Sequence, residues 1–161
     1  MLDSVNPFGS SGPPLTGFHF RVDFGLPGLF VKDVGFKSVS GISMEFNTKL
    51  ISRNGDNIHI PDGKTYGDIT LSRGMIVGSY LSDWLQSQMS LQRPFKIPII
   101  ITILDGKQSP IYSWTFFNAY PIKLSLGGMD AEKGQLLLEQ ITFKYEFYKV
   151  INVGLMSSAL G

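Results

Sequence analysis

Cysteine is absent from this chain of 161 residues. Its absence excludes disulfides, thiol nucleophiles and zinc sites built on thiolates, and it leaves the redox compartment open. Histidine is scarce, with only His19 and His59, so the commonest general base of enzymes has few candidates. Charge is scarce too, because charged residues make up 17% of the chain and the net charge is +1. The basic residues are scattered, so the sequence carries no specific motif for nucleic acid and no basic footprint for an acidic membrane.

Long apolar runs are also missing. The longest, residues 97–104, is interrupted by Pro98 and Thr102 and is far shorter than the roughly 20 residues of a membrane-spanning helix. Residues 1–16 are rich in Gly, Ser and Pro, and Asp3 stands where an export signal needs positive charge. We therefore predict a flexible N-terminal arm over residues 1–16, no export signal and no membrane anchor.

The residues that catalysis or metal binding would need are present but poorly arranged. His19 lies on the polar side of a predicted strand, where a solvated or interface histidine is expected rather than a base. His59 lies near Asp56 and Asp62, yet the acidic residues do not follow the spacing of a calcium loop, and zinc would require more histidine or cysteine. The isolated glutamates form no recognisable acid and base pair. We predict no catalytic residue, no cofactor and no metal.

The chain does contain many segments with apolar residues at every second position, the pattern of strands with one buried face. In the first of them Phe18, Phe20, Val22 and Phe24 alternate with polar residues. Further strands are predicted over residues 36–46, 57–60, 69–73, 95–104, 112–117, 121–126 and 136–150, with a bend at Gly41 and an end at Asn118–Pro121. About seven or eight strands predict a mainly β fold, an antiparallel sandwich or barrel, as one domain over residues 17–150 followed by a tail over 151–161.

One amphipathic helix is predicted, over about residues 78–91. Ser79 is the expected N-cap, and Pro94 ends the helix because it pushes the preceding residue out of helical geometry. The apolar face would carry Trp84 at its centre, packed against the sheet. The residues assigned to that face are Val77, Tyr80, Leu81, Trp84, Leu85 and Met89, with Ser79, Ser82, Asp83, Gln86, Ser87 and Ser90 on the polar face.

A projecting hairpin or long loop is predicted over about residues 49–64, because Asn54-Gly55 and Asp62-Gly63 are strong turn dipeptides around a short β segment. A hairpin that leaves a small body has to cover its apolar side with another chain. The composition agrees, since 43% of the residues are hydrophobic and 12% are aromatic. The residues predicted to contact a neighbouring subunit are Arg53, Asn54, Gly55, Asp56, Asn57, Ile58, His59 and Ile60.

A series of short motifs also occurs in a characteristic order. The series consists of Val39-Ser40-Gly41, Arg53-Asn54-Gly55, Ile60-Pro61-Asp62-Gly63-Lys64, Ile69-Thr70-Leu71-Ser72-Arg73-Gly74, a helix with Trp84, Trp114-Thr115-Phe116-Phe117-Asn118-Ala119-Tyr120-Pro121, and Glu139-Gln140-Ile141. In this order and spacing the sequence resembles the tail tube protein family of contractile phages and related contractile injection systems. The block from Trp114 to Pro121 is the most specific part of the resemblance.

The resemblance implies a structural role without enzymatic activity. It implies a β-barrel-like fold with one flanking helix, six copies closing into a ring, and rings stacking into a hollow tube inside a contractile sheath. Expected partners are other copies of the chain, the sheath and the baseplate or spike proteins, with cargo in the lumen. Assembly would take place in the cytoplasm, and the subunit would then belong to a phage tail or tail-like particle.

Two alternatives remain open at this stage. The first is the tube-initiating ring of the baseplate, whose members are similar in sequence and join the spike or hub to the tube. The second, from a different class, is a monomeric β-sandwich binding module of lectin type. Such a module would expose its aromatic residues at one rim, whereas Trp84 and Trp114 lie in regular elements.

Overall fold

A computed structural model describes residues 17, 19–26 and 35–153. Within this part of the chain there are nine strands and one helix. They are β1 (His19–Phe24), β2 (Ser38–Ser40), β3 (Met44–Arg53), β4 (Asp56–Tyr66), β5 (Ile69–Gly74), α1 (Tyr80–Met89), β6 (Ile97–Leu104), β7 (Pro110–Leu126), β8 (Leu138–Lys144) and β9 (Phe147–Asn152). All strand pairs are antiparallel, which confirms the predicted fold class. The predicted arm over residues 1–16, and the tail beyond residue 153, lie outside the described residues.

Seven strands form one sheet that folds over a single core. Its order is β1-β6-β7-β8-β5-β2, and β9 pairs with β7 as well. Inward side chains from β6 and β7 join those from β5 and β8 in one buried cluster, which includes Ile99, Phe116, Leu71 and Ile141. Because β1 and β2 are the two ends of this path, the sheet stays open between them.

The corner of the fold lies in β7, which is one long strand and not the two that the sequence predicts. Its first half pairs with β6 and β9, and its second half pairs with β8. Asn118 has φ of 54°, a left-handed conformation that asparagine tolerates better than most residues, and the register shifts beside it. The strand therefore bends at Asn118 instead of ending there, and the Trp114–Pro121 block contains the corner.

The predicted strand over residues 136–150 is divided in the opposite way, into β8 and β9. The break falls at Tyr145 and Glu146, where the Glu146 amide donates to the Phe117 carbonyl. Phe117 pairs with Phe147 and Tyr120 pairs with Lys144, so the register is the same on both sides of the break. β8 and β9 therefore act as one continuous antiparallel partner that follows the bend of β7.

The predicted strand over residues 36–46 is likewise two strands, β2 and the beginning of β3. Gly41 has φ of 89°, and a Cβ at this position would lie 2.0 Å from the carbonyl oxygen of Asp68. Only glycine fits, because it is free to adopt positive φ and has no side chain. The predicted bend at Gly41 is confirmed, and it turns the chain away from the sheet.

Helix α1 spans Tyr80–Met89, slightly shorter than predicted, and contacts β7. Ser79 is the N-cap as predicted, since its side chain accepts a hydrogen bond from the Ser82 amide at 3.3 Å. The predicted apolar face is partly wrong. Leu81 and Leu85 are fully buried, Trp84 is half-buried, and Val77 precedes the helix with 92% of its surface exposed.

Two residues of the predicted polar face of α1, Ser79 and Ser82, contact a buried ion pair. Arg73 on β5 donates from Nε to Glu139 Oε2 on β8 at 2.8 Å, and neither side chain is appreciably exposed. The Arg73 Nη2 atom donates to Ser79 Oγ at 2.8 Å and to Ser82 Oγ at 2.7 Å. Ser82 in turn donates to Glu139. Ser79 and Glu139 are buried and Ser82 is half-buried, and together with Arg73 they connect the first turn of α1 to two strands.

Candidate assembly surface

The hairpin of β3 and β4 forms a two-stranded sheet of its own, paired with no strand of the larger sheet. Its turn is Asn54-Gly55, with φ of 53° and 88°. Two consecutive positive φ values define the type I′ turn, whose twist matches the strands of a hairpin. The turn predicted at Asn54-Gly55 is confirmed, whereas the one predicted at Asp62-Gly63 is wrong, because these residues lie inside β4. The hairpin, at Met44–Tyr66, is longer than the predicted 49–64 because pairing continues toward the body.

An aromatic cluster fixes the hairpin at its base. The ring of Tyr66, the last residue of β4, lies 5.9 Å from the ring of Tyr145 and 5.4 Å from that of Tyr148. Phe116 contacts the same two tyrosines from β7, with 4.8 Å between its ring and that of Tyr145. The base of the hairpin is thus part of the core, although its strands are not.

Tyr145 is the unusual member of this cluster. Its hydroxyl is buried and makes no hydrogen bond to any described residue. Burial raises the pKa of Tyr145 to about 12, and Tyr148 and Asp68 add to the rise because they disfavour a nearby negative charge. This hydroxyl is neutral throughout the physiological range.

The hairpin carries an apolar stripe that is only partly covered. A bulge between Phe46 and Thr48 separates the base from the outer part, where Ile51 pairs with Ile58 and Lys49 pairs with Ile60. Directly opposed residues lie on the same face, so the three isoleucines form one stripe beside Lys49. Ile58 is 41% exposed, and on the other face Leu50 is 54% exposed. A two-stranded hairpin with nothing packed on it is marginally stable in water.

The eight predicted contact residues occupy the outer end of the hairpin. Arg53 ends β3, Asn54 and Gly55 form the turn, and Asp56 to Ile60 begin β4. All are exposed except Ile60, which is half-buried. Whether they touch a neighbouring subunit stays a prediction. Around His59, and elsewhere among the described residues, no group of three or more His, Asp or Glu side chains could hold a metal ion.

A second apolar surface lies where the large sheet stays open. It is a groove of about 440 Å³ between β1 and β2. Its apolar lining consists of Phe20, Val39, Ile42, Ile101, Ile103 and Trp114, and Lys37 and Ser38 also line it. Sequence reasoning missed this groove. Alternation predicts which residues face inward, but it does not show which of these residues remain uncovered by a neighbouring strand. Within residues 17, 19–26 and 35–153 no helix is long and apolar enough to span a bilayer.

Comparison with known proteins identifies the family. Residues 16–149 match the profile of the T4-like virus tail tube protein gp19. The chain belongs to this tail tube family. Among curated proteins no match was found.

Solved structures agree with this tail tube assignment at the level of the fold. A chain in the anti-feeding prophage baseplate has a TM-score of 0.76 at 21% identity, covering 89% of this chain and 99% of its own. A chain in the sheath–tube complex of the extracellular contractile injection system PVC has a TM-score of 0.73 at 24% identity, covering 86% and 92%. Hcp1 from Flavobacterium johnsoniae is more distant, with a TM-score of 0.55 at 11% identity and coverage of 83% and 94%.

Proposed function

We propose that this protein is the structural subunit of the inner tube of a contractile tail or injection system. Six copies would close into a ring, and rings would stack into a hollow conduit that sheath contraction drives through a target envelope. Membership of the tail tube family supports this role. The subunit assembles in the cytoplasm and then becomes part of a phage tail or tail-like particle. Its partners are neighbouring rings, the sheath and the baseplate or spike proteins, with cargo inside the lumen.

The observation that carries the proposal is the partly exposed stripe on the outer hairpin, in which Ile58 is exposed and Ile51 and Ile60 are half-buried. Ile51, Ile58 and Ile60 are β-branched residues on a twisted, paired surface, the arrangement that normally packs on a core. None of the three belongs to the core cluster of the described residues. Burial of apolar surface stabilises by about 25 cal/mol per Å², so a neighbouring copy that covers the stripe would stabilise both the hairpin and the assembly.

A ring follows from the asymmetry of this contact. The hairpin is one surface of the subunit, and in this proposal it covers a different surface on the next subunit. Such a heterologous contact repeats from copy to copy, and it yields a closed ring or an open helical stack rather than an isolated dimer. Both outcomes suit a tube, and six copies per ring is the number implied by the family resemblance.

The tube-initiating ring is the second candidate. It is favoured by the likeness to a chain in a baseplate structure, with a TM-score similar to that of the sheath–tube complex. A monomeric lectin-like module is disfavoured, because Trp84 and Trp114 pack against the core and do not form an exposed rim.

The test is the size and shape of the purified protein. Sedimentation velocity over a range of concentrations should show a discrete ring species, and negative-stain images should show rings or tubes. The control is circular dichroism on the same samples, which establishes that the fold is intact. A compact monomer at high concentration with an intact fold would contradict the proposal.

A further inference from the structure

We infer that the predicted N-terminal arm, residues 1–16, packs on the outward face of the half-sheet formed by β1, β6, β7 and β9. The outward face is the side of this half-sheet that is turned away from the core. The inference concerns the single subunit and does not rest on the proposed tube function. Residues 1–15 also precede the part of the chain that matches the tail tube family, so membership of the family gives them no role.

Pairing between the strands separates the two faces of the half-sheet. Val22, Ile101 and Trp114 lie opposite one another and belong to the core cluster or pack against it, so this row faces inward. Successive residues of a strand point to opposite faces, and the next row therefore faces outward. That row consists of Arg21, Thr102, Ser113 and Ile151.

Part of the outward face is buried without belonging to the core. Leu104, two residues after Thr102, points to the outward face and is only 7% exposed, yet it lies outside the core cluster. Ile103, which points inward beside it, is more exposed. Thr102 and Ser113 are buried as well, and their hydroxyls are hydrogen-bonded at 3.3 Å. Because Leu104 is more buried than its inward neighbour, the atoms that cover it lie on the outward side.

Two other segments at this end of the half-sheet do not supply the cover. The turn between β6 and β7, residues 105–109, carries no apolar side chain. Asp105 Oδ1 accepts hydrogen bonds from the amides of Lys107 and Ser109 at 2.8 Å each, so the turn is closed on itself. The tail that follows residue 153 is disfavoured because Ile151, the outward residue nearest to its start, is 45% exposed.

The arm begins beside the buried patch. Gly17 lies two residues before His19, and His19 is paired with Leu104. Gly17 has φ of 64°, a left-handed conformation that glycine adopts without strain, so the chain is able to turn immediately before β1. The arm would reach the whole face, because 16 residues extend up to about 50 Å at roughly 3.3 Å each, whereas four strands span about 14 Å at a spacing of roughly 4.8 Å. Its apolar side chains are Leu2, Val5, Phe8 and Leu15.

The outward face of the other half of the large sheet is less suited to these side chains. There Ser38 pairs with Ser72, and Thr70 pairs with Thr142, so the outward residues carry hydroxyls. Covering hydroxyls with apolar groups removes them from water without giving them new hydrogen-bond partners, which is unfavourable. On the first half-sheet the outward face includes apolar residues such as Ile100, which an apolar arm covers without this loss.

Thiol labelling tests the inference, because the chain has no natural cysteine. Ser113→Cys places a thiol of similar size on the outward face, in subunits that sedimentation shows to be unassembled. A maleimide should label it slowly in the full chain, and deletion of residues 2–16 should raise the rate by at least about tenfold, because the cover is lost. Thr102→Cys repeats the measurement on the neighbouring strand. Ser40→Cys, exposed on the outward face of β2, is the matched control and should react equally fast in both proteins.

Substitutions within the arm keep its length and separate apolar packing from mere presence. Phe8→Ser combined with Leu15→Ser should accelerate labelling of the Ser113→Cys thiol nearly as much as the deletion. Ser4→Ala combined with Ser10→Ala changes the same segment without removing apolar side chains, and it should leave the rate unchanged. Circular dichroism of each variant establishes that the fold is intact.

The remaining outcomes each overturn the inference. Equal rates with and without the arm would show that side chains of the sheet itself cover the position. Acceleration only after deletion of residues 154–161 would assign the cover to the tail. A thiol that reacts fast in unassembled subunits and slowly only in assemblies would show that another copy covers the face. None of these results bears on ring formation, which sedimentation of the unmodified protein measures separately.

Discussion

The seven-stranded sheet with α1, here called the barrel, and the projecting hairpin use the same kind of residue for different purposes. Ile69 on β5 and Ile141 on the neighbouring strand β8 are fully buried in the core, whereas Ile58 on the hairpin is 41% exposed. In the barrel, burial of such side chains is complete within one chain and stabilises the fold. On the hairpin the same burial is left for another chain, so it contributes to assembly instead.

Ion pairs also differ between a buried and an exposed position. Arg73 and Glu139 form a pair with no appreciable exposure, and Arg21 and Asp23 form a pair with side chains 51% and 41% exposed. The first pair is desolvated and fully hydrogen-bonded, so removing one member leaves the other charged and buried. The second pair is screened by water and contributes little. The contrast predicts where a charge change would unfold the protein.

The largest effect is expected from Glu139→Ala. It leaves the Arg73 guanidinium buried beside two serines without its carboxylate, and it should lower the free energy of unfolding by about 3–5 kcal/mol. Urea denaturation of the unassembled protein would measure this. Asp23→Ala is the control and should cost less than about 1 kcal/mol. Equal losses in the two variants would show that burial does not separate the two pairs.

Two leucines, one in the core and one on the hairpin, allow the same comparison of a buried and an exposed side chain. Leu85→Ala in α1 removes a fully buried side chain and should lower the free energy of unfolding by about 2–5 kcal/mol. Leu50→Ala on the hairpin should change it by less than about 0.5 kcal/mol. The same denaturation series measures both, and a large loss at Leu50 would mean that the hairpin already packs within the single chain.

Local patterns were sufficient for those parts of the fold whose determinants are close in sequence. The Ser79 cap and the Asn54-Gly55 turn were predicted because a few adjacent residues decide them. The continuity of β7 through Asn118 was not predicted, since Asn-Ala-Tyr-Pro is ordinarily a sequence that ends a strand. Here a partner that bends at Glu146 keeps the pairing intact.

Long-range contacts explain what could not be predicted. Arg73 and Glu139 are 66 positions apart and meet only because β5 pairs with β8. Alternation predicted Glu139 on a polar face, which is wrong, because it did not reveal the buried cation opposite this residue. The groove has the same origin, because its lining comes from four strands and from residues on both sides of β2. The hairpin tip was predicted as a contact surface, and the structure leaves it exposed and untested.

Shortening the hairpin should separate assembly from folding. Lys49 and Ile60 are paired, so replacing residues 50–59 with Asn-Gly joins them by a two-residue type I′ turn. The free energy of unfolding of the barrel should change by less than about 1 kcal/mol, because the removed residues lie outside the core. Rings and stacks should disappear in sedimentation and in images. Long tubes from the shortened variant would show that the predicted contact residues have been misassigned.

The smallest effect at neutral pH, and the most specific one, is expected at Tyr145, where the two regions meet. Tyr145→Phe removes a buried hydroxyl that has no hydrogen-bond partner among the described residues and keeps the ring that packs on Tyr66. The free energy of unfolding at pH 7 should therefore stay the same or rise by up to about 1 kcal/mol.

The alkaline range distinguishes this hydroxyl from the other tyrosines. In the folded protein the pKa of Tyr145 is raised to about 12, whereas the unfolded value is about 10. Between these values the folded state holds a proton that the unfolded state loses, so this group's contribution to stability is complete below pH 10 and declines toward pH 12. Tyr145→Phe should lose less stability than the wild type over that interval, as measured by urea denaturation at pH 9, 10 and 11. Parallel losses would mean that the hydroxyl ionises as freely in the folded protein as in the unfolded chain, and that the base of the hairpin is open to water.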